Sequence, residues 1–194
     1  MGAGGHAKSV WEAAHNAHDQ IVFLCDNRNA PKTLCGCRVY YSAASDPADL
    51  PFAVDCLHVA IGENRKRLDL FNRLREQYAM PVIVHPRAVI SEHAEIGPGT
   101  AVLANAVVNI DAVVGNCCII NTGAVVEHDC VLGDGVHISP NATLAGGVRV
   151  GEAAWVGMGA CVLQGRTLGA NCIVGASSVI LRDVCDNTTV RGKY

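Results

Sequence analysis

From Ile90 onward, every sixth residue is Ile, Leu or Val. The series runs Ile90, Ile96, Val102, Val108, Val114, Ile120, Val126, Leu132 and on to Val174 and Ile180, sixteen positions without an insertion. A second series lies four residues after each, from Ala94 to Val184, and fifteen of its sixteen members are small or β-branched. Arg166 is the exception, while Cys118, Cys130 and Cys172 obey the rule. A period sought before any other feature sets the architecture. Each six-residue unit supplies a short flat strand and a turn, and three units close a triangular coil. Large and small inward residues then fill the interior of stacked coils. About five coils fit residues 90–180, which predicts a parallel β-helix.

The bulk composition agrees. Half the chain is hydrophobic but only 5% is aromatic, so the core must come from Val, Ile, Leu and Ala. Gly follows the aliphatic position at 97, 115, 133, 151, 157, 169 and 175, where the coil is expected to bend. The net charge of -3, with no Lys/Arg run, argues against nucleic acid and anionic membranes as partners. With no signal peptide and no apolar run of about 18 residues, the expectation is a soluble, cytoplasmic protein. The ten cysteines include no CxxC, and Cys35-Gly36-Cys37 is a weak metal motif. They read as reduced thiols that mostly pack, with no metal expected.

Residues 1–84 lack the period and read as a separate domain from 85–194. Gly2-Ala3-Gly4-Gly5-His6-Ala7-Lys8 is a glycine turn leading to a helix over roughly Ser9–Ala17. Ile21–Asp26 and Cys56–Ile61 read as buried strands, Arg65–Tyr78 as an amphipathic helix, and Pro81–Val84 as a further strand. That alternation predicts a small parallel, Rossmann-like α/β unit. A glycine turn at a helix start can hold phosphate on free N–H groups, and an acid about 20 residues on can bond a ribose or base edge. A tight turn without a ligand is the competing reading. Such turns follow a strand, whereas only Met1 precedes Gly2. The expectation is therefore a chain shortened upstream or a sheet short of its first strand.

Within the repeat, NTGAVVEHDCVLGDGVHIS (121–139) combines apolar and charged residues. The register separates them. Ile120, Val126, Leu132 and Ile138 point inward, so His128 faces outward between Glu127 and Asp129. An outward histidine is ordinarily a solvated one. Here two flanking carboxylates can hold the ring and raise its basicity, which suits a general base near neutral pH. His6 is placed either at a bound sugar phosphate or amine, or at its own helix end. His15, His18 and His58 carry no special reading. Trp155 faces outward, toward either an interface or a ligand.

The two parts together resemble the NeuD/PglD-like family of sugar O-/N-acyltransferases, which includes acetyltransferases of nucleotide-linked 4-amino-4,6-dideoxy sugars. The matching segments are Gly2–Lys8, Phe23-Leu-Cys-Asp26, Val59-Ala-Ile-Gly-Glu-Asn64, His85-Pro86, Asn121–Cys130 and His137-Ile-Ser-Pro140. The resemblance implies a left-handed β-helix, a homotrimer with sites between neighbouring subunits, and acetyl-CoA as co-substrate. It implies His128 as general base, with Asp129 and Glu127 orienting it. It places His137, Gly146, Met158 and Ala176 on one edge that binds acetyl-CoA. Gly4, Gly5, His6, Asp26, Asn64 and Asn121 would bind a nucleotide-linked amino sugar of the bacillosamine or perosamine type. The segment Val190–Tyr194 stops where relatives continue through a Gly-x-Pro-Ala loop, expected to help cover CoA.

The chemistry implied is direct attack of a sugar amine on the thioester, and O-acetylation of sialic acid or another sugar is the alternative. A three-histidine zinc hydratase would use His93, His128 and His137, but the nine-residue gap between the last two does not fit its spacing. A non-catalytic nucleotide-sugar-binding subunit is the third reading.

Overall fold

The computed structural model describes residues 1–14 and 20–194. His15, His18 and the end of the expected Ser9–Ala17 helix lie outside them. From residue 83 the chain winds as a parallel β-helix. Two-residue strands end on all sixteen predicted aliphatic positions, from Val89–Ile90 to Val179–Ile180. Each pairs in parallel with the strand one coil away: Ile120 meets Val102 on one side and Ile138 on the other. The strands stack into a seven-stranded first face, a six-stranded second face and a five-stranded third face. Residues 137–154 show one coil. His137–Ile138 lie on the first face, Thr143–Leu144 on the second and Arg149–Val150 on the third, with corners between them.

The interior follows the sequence pattern. The aliphatic positions from Val102 to Ile180 are buried, as are the small positions from Thr100 to Ala160, with Cys118 and Cys130 at 1% exposure or less. Arg166 escapes the core by reaching outward to Asp183, 3.7 Å away. All ten cysteines are free thiols.

The backbone corrects one expectation. Glycines directly after the aliphatic position do not carry the unusual φ. They are small because the next coil lies against them: a Cβ on Gly115 would sit 2.7 Å from Gly133. Left-handed φ recurs two residues further along, at every sixth residue from Gly99 to Ser177, filled by Gly, Asn or Asp at most positions. These residues pay the smallest cost for that conformation.

The front part differs more from expectation. Helix α1 spans Gly5–Ala14, so the glycine turn already includes its first helical turn. Strand β1 is Phe23–Cys25, followed by β2 (Thr33–Leu34) and β3 (Cys37–Tyr41) in the order β1-β3-β2. The expected strand at 56–61 is extended chain with one bridge, Cys56 to Ala79. Its neighbour is the short stretch Met1–Gly2, where Gly2 N–H donates to Leu24 O and Ala60 N–H to Met1 O. Two residues are too few for a ladder. Pro81–Val84 does not join this unit: Ile83–Val84 pair with Ala101–Val102 as the first strand of the first face.

Helix α2 (Asn64–Leu74) opens on Glu63, whose carboxylate accepts from the Arg65 and Lys66 N–H groups. It ends at Leu74, where the N–H groups of Gln77 and Tyr78 turn back onto Leu74 O, four residues short of the expected Tyr78. The helix lies along the corner between the third and first faces. Arg65 bonds the Asn171 side chain, Asn64 bonds Ala153 O, and Arg67 bonds Gly135 O and Cys117 O. A Cβ on Gly99 would sit 2.6 Å from the Phe71 ring. Those five corner residues lie on five successive coils. The helix rises only about 10 Å from Asn64 to Phe71 while four coil steps span about 19 Å, so long side chains such as Arg65 and Arg67 reach across the difference.

Gly99→Ala tests this docking, because φ there is +72° and the Phe71 ring fills the Cβ position. The left-handed conformation alone costs about 1–2 kcal/mol for a residue with a Cβ. The variant should show faster amide exchange across α2 with protection of the central coils unchanged. Equal protection of α2 in both proteins would contradict the docking described here.

Candidate active site

His128 stands in the corner between the second and third faces. Its Nδ1 lies 2.7 Å from Asp129 Oδ2, and its side chain is half exposed. Asp129 occupies a left-handed turn position, φ 60°, of the kind that recurs at each corner from Gly99 to Ser177. The turn thus brings its carboxylate back to the ring of its own neighbour. Glu127 is held differently: Asn109 Nδ2 donates to its Oε2 at 2.9 Å, and the His128 N–H lies 3.3 Å from the same atom. The Asp129 hydrogen bond raises the His128 pKa, and the charges of Asp129 and Glu127 add to it. With Nδ1 engaged by Asp129, Nε2 is left to act as a base.

Gly146 lies one coil beyond His128, in the same corner. A Cβ there would come within 2.5 Å of His128 Cε1 and Nε2, so the imidazole rests on the glycine. Met158 and Ala176 belong to a different corner, between the first and second faces. They line a cavity of about 370 Å³ with His137, Pro140 and Trp155. The single edge expected for His137, Gly146, Met158 and Ala176 is therefore two. Positions 146 and 158 differ by two thirds of a coil.

His137 sits on the first face, in the row Ala101, Ile119, His137, Trp155, Ile173. The α/β part covers the start of this row, so Ala101 and Ile119 are buried, while Trp155 is 46% exposed. His137 marks the boundary. Its ring stacks on Trp155 at 5.9 Å and 7°, and Trp155 Nε1–H donates to Ser139 Oγ at 2.7 Å. Asn121 Nδ2 meets His137 Nε2 at 3.0 Å. Burial, then the charges of Arg67 and His6, push the His137 pKa down to about 3.

Of the expected sugar-binding residues, Asp26 lines a second cavity, about 640 Å³, between the end of β1 and α2. Ser45, Glu63, Arg65, Lys66 and Arg73 line it as well, and Lys66 Nζ lies 3.1 Å from Asp26. Gly4, Gly5, His6, Asn64 and Asn121 do not line that cavity. Gly4 and Gly5 have open space where a Cβ would be. Burial, with Arg67 and the terminal amine, lowers the His6 pKa to about 4. Asn64 is engaged with the coil, Nδ2 donating to Ala153 O and Ala154 O at 3.0 Å, while its Oδ1 and His6 Nε2 meet no partner among the described residues.

Sequence reasoning missed Arg67. It is 1% exposed, and every hydrogen-bond acceptor it meets is a carbonyl oxygen: Cys117, Gly135, Ile61 and Gly62. The available signal was its place beside Leu68 and Phe71 on the inward face of α2. The register sends Trp155 outward, but its bond to Ser139 is not encoded in any local spacing.

Comparison with known proteins agrees with this layout. Residues 1–74 match the PglD N-terminal domain, and residues 111–146 and 147–182 match the bacterial transferase hexapeptide (six repeats). A histidine-to-asparagine mutant of perosamine N-acetyltransferase from Caulobacter crescentus, in complex with CoA and GDP-perosamine, is 39% identical, with TM-score 0.90, covering 98% of this chain and 91% of that one. The acetyltransferase domain of PglB from Neisseria gonorrhoeae, in complex with acetyl coenzyme A, is 39% identical, with TM-score 0.91 and coverage of 98% and 93%. WeeI from Acinetobacter baumannii is 25% identical, with TM-score 0.88 and coverage of 98% and 94%. Among curated sequences there is no match. Among the described residues, no helix is long and apolar enough to cross a membrane.

Gly146→Ala should push the His128 ring off its seat and break the Asp129 bond. The His128 titration, followed by NMR, is expected to move down toward the ordinary imidazole value with the thermal midpoint nearly unchanged. An unmoved titration would show that the ring does not depend on this glycine.

Proposed function

The chain belongs to the NeuD/PglD-like family of sugar acyltransferases, and on that premise we propose that it is an acetyl-CoA-dependent N-acetyltransferase. Its acceptor is the 4-amino group of a nucleotide-linked 4-amino-4,6-dideoxy sugar, of the perosamine or bacillosamine type. The observation that carries the reading is the His128–Asp129 pair seated on Gly146, with Nδ1 engaged by the carboxylate and the side chain half exposed. Its support from relatives is the likeness, over nearly the whole chain, to an enzyme that binds CoA and GDP-perosamine.

The amine nitrogen attacks the thioester carbonyl carbon, and the C–N bond forms. His128 Nε2 takes the proton that the nitrogen must lose. The tetrahedral intermediate carries an oxyanion, stabilised by an N–H donor from the backbone or from His137. Collapse breaks the C–S bond, and the CoA thiolate takes the proton back from His128. Neither a metal nor a covalent enzyme intermediate takes part in these steps. Asp26 and the charged cavity beside α2 hold the nucleotide, with Gly4, Gly5, His6 and Asn64 toward the sugar. Acetyl-CoA lies along His137, Met158 and Ala176.

Within one chain, His128 and His137 lie on different parts of the coil, nine residues or half a coil apart. A site using both needs two copies, which favours a homotrimer with three sites between neighbours.

A CoA-release assay across UDP-, GDP- and dTDP-linked 4-amino sugars, with sialic acid as control, tests the reading. Turnover is expected with an amino sugar, and acetylation of sialic acid alone would refute it. His128→Ala should lower kcat on the order of 10²–10⁴-fold. Since the base must be neutral, kcat/KM falls as pH drops through the His128 pKa. Asp129→Asn removes what raises that pKa, so the acid limb should shift to lower pH. An unshifted limb would remove Asp129 from the account.

A further inference from the structure

The hydrogen bonds around His137 determine where its proton sits. Thr122 N–H donates to Asn121 Oδ1 at 2.8 Å, which fixes the orientation of the Asn121 amide. Its Nδ2 is therefore the atom 3.0 Å from His137 Nε2. An amide nitrogen only donates, so Nε2 must offer its lone pair. The single proton of the neutral ring then belongs to Nδ1, which is buried and meets no partner among the described residues. The arrangement at Asn109 is alike: Oδ1 accepts from Ile110 N–H and Nδ2 donates to Glu127.

Groups on every element packed around the ring disfavour a second proton. Arg67 contributes a buried guanidinium from α2, and His6 a second imidazole from α1. Trp155 covers one face of the ring and is itself tied to Ser139. No carboxylate among the described residues bonds to the ring. An imidazolium would also set Nε2–H against the Asn121 N–H group.

We propose that Asn121 is a positioning residue that fixes His137 as the neutral Nδ1–H tautomer, so that this ring takes no part in proton transfer. The role in catalysis rests on the acetyl-transfer reading above. The tautomer itself does not.

The first test needs no substrate. Two-bond ¹H–¹⁵N correlation on the full chain with labelled histidine, with His137→Gln for assignment, should show His137 protonated at Nδ1 and unprotonated at Nε2 from pH 5 to 8. An Nε2–H tautomer, or titration within that range, overturns the proposal. The second test uses Asn121→Asp. A carboxylate accepts Nε2–H and favours the imidazolium, which loses its Nδ1 proton when it titrates. In the same correlation spectra the His137 titration should then move up into the pH 5 to 8 range, with Nε2 protonated in the charged ring. An unmoved His137 titration in the variant would also overturn it.

Discussion

The seating of α2 along one corner of the β-helix governs this structure. From its first two turns, Arg65, Asn64, Arg67 and Phe71 reach Asn171, Ala153, Gly135, Cys117 and Gly99, corner residues each one coil from the next. This seating lets side chains of α2 satisfy backbone carbonyls at the corner while Leu68 and Phe71 bury against it. Arg67 is central: its guanidinium is held by carbonyls from two coils and from the loop before α2, and charge-assisted bonds of this kind are the stronger ones. Ala101 and Ile119 at the start of the first-face row are buried, while Trp155 further along it is exposed. His137 lies between them in that row, at the junction between covered and open surface.

The same coil geometry separates the chemistry. The core takes the aliphatic and small residues, and the skin takes the charges. Left-handed turn positions recur at each corner from Gly99 to Ser177, and one of them is Asp129, so the orienting carboxylate comes from a conformation that the coil repeats. His128, exposed and beside carboxylates, holds a proton more readily than free imidazole. His137, buried beside a guanidinium, holds one far less readily. Two histidines with opposite proton affinities suit two different tasks, one taking a proton and the other donating a fixed hydrogen bond.

The β-helix was legible because its core positions repeat in register with the chain, and each strand ends where the period placed it. The charged segment around His128 was legible for the same reason, since the register alone sends it outward. The front part was harder. The chain at 56–61 looks like a strand by composition, but its neighbour is only Met1–Gly2. The strand at 83–84 looked like part of the α/β unit, yet its partner is Ala101–Val102. The docking of α2 was not legible, because the acceptors at Ala153, Gly135 and Cys117 are backbone carbonyls that leave no mark on sequence. The separate edges of Gly146 and Met158 followed from arithmetic on the coil length, which the expected single edge overlooked.

The central claim is that His128 and His137 act in one site contributed by two chains. It is tested most directly by mixing subunits. His128→Ala and His137→Ala chains, each impaired alone, are unfolded together, refolded at equal amounts and assayed for acetyl transfer. In a cyclic trimer assembled at random, about a quarter of the interfaces pair an intact His128 with an intact His137. The account predicts recovery to about that fraction of wild-type activity. A mixture no more active than its two parents would place both histidines in the same chain's site, or one of them outside it, and would contradict the account.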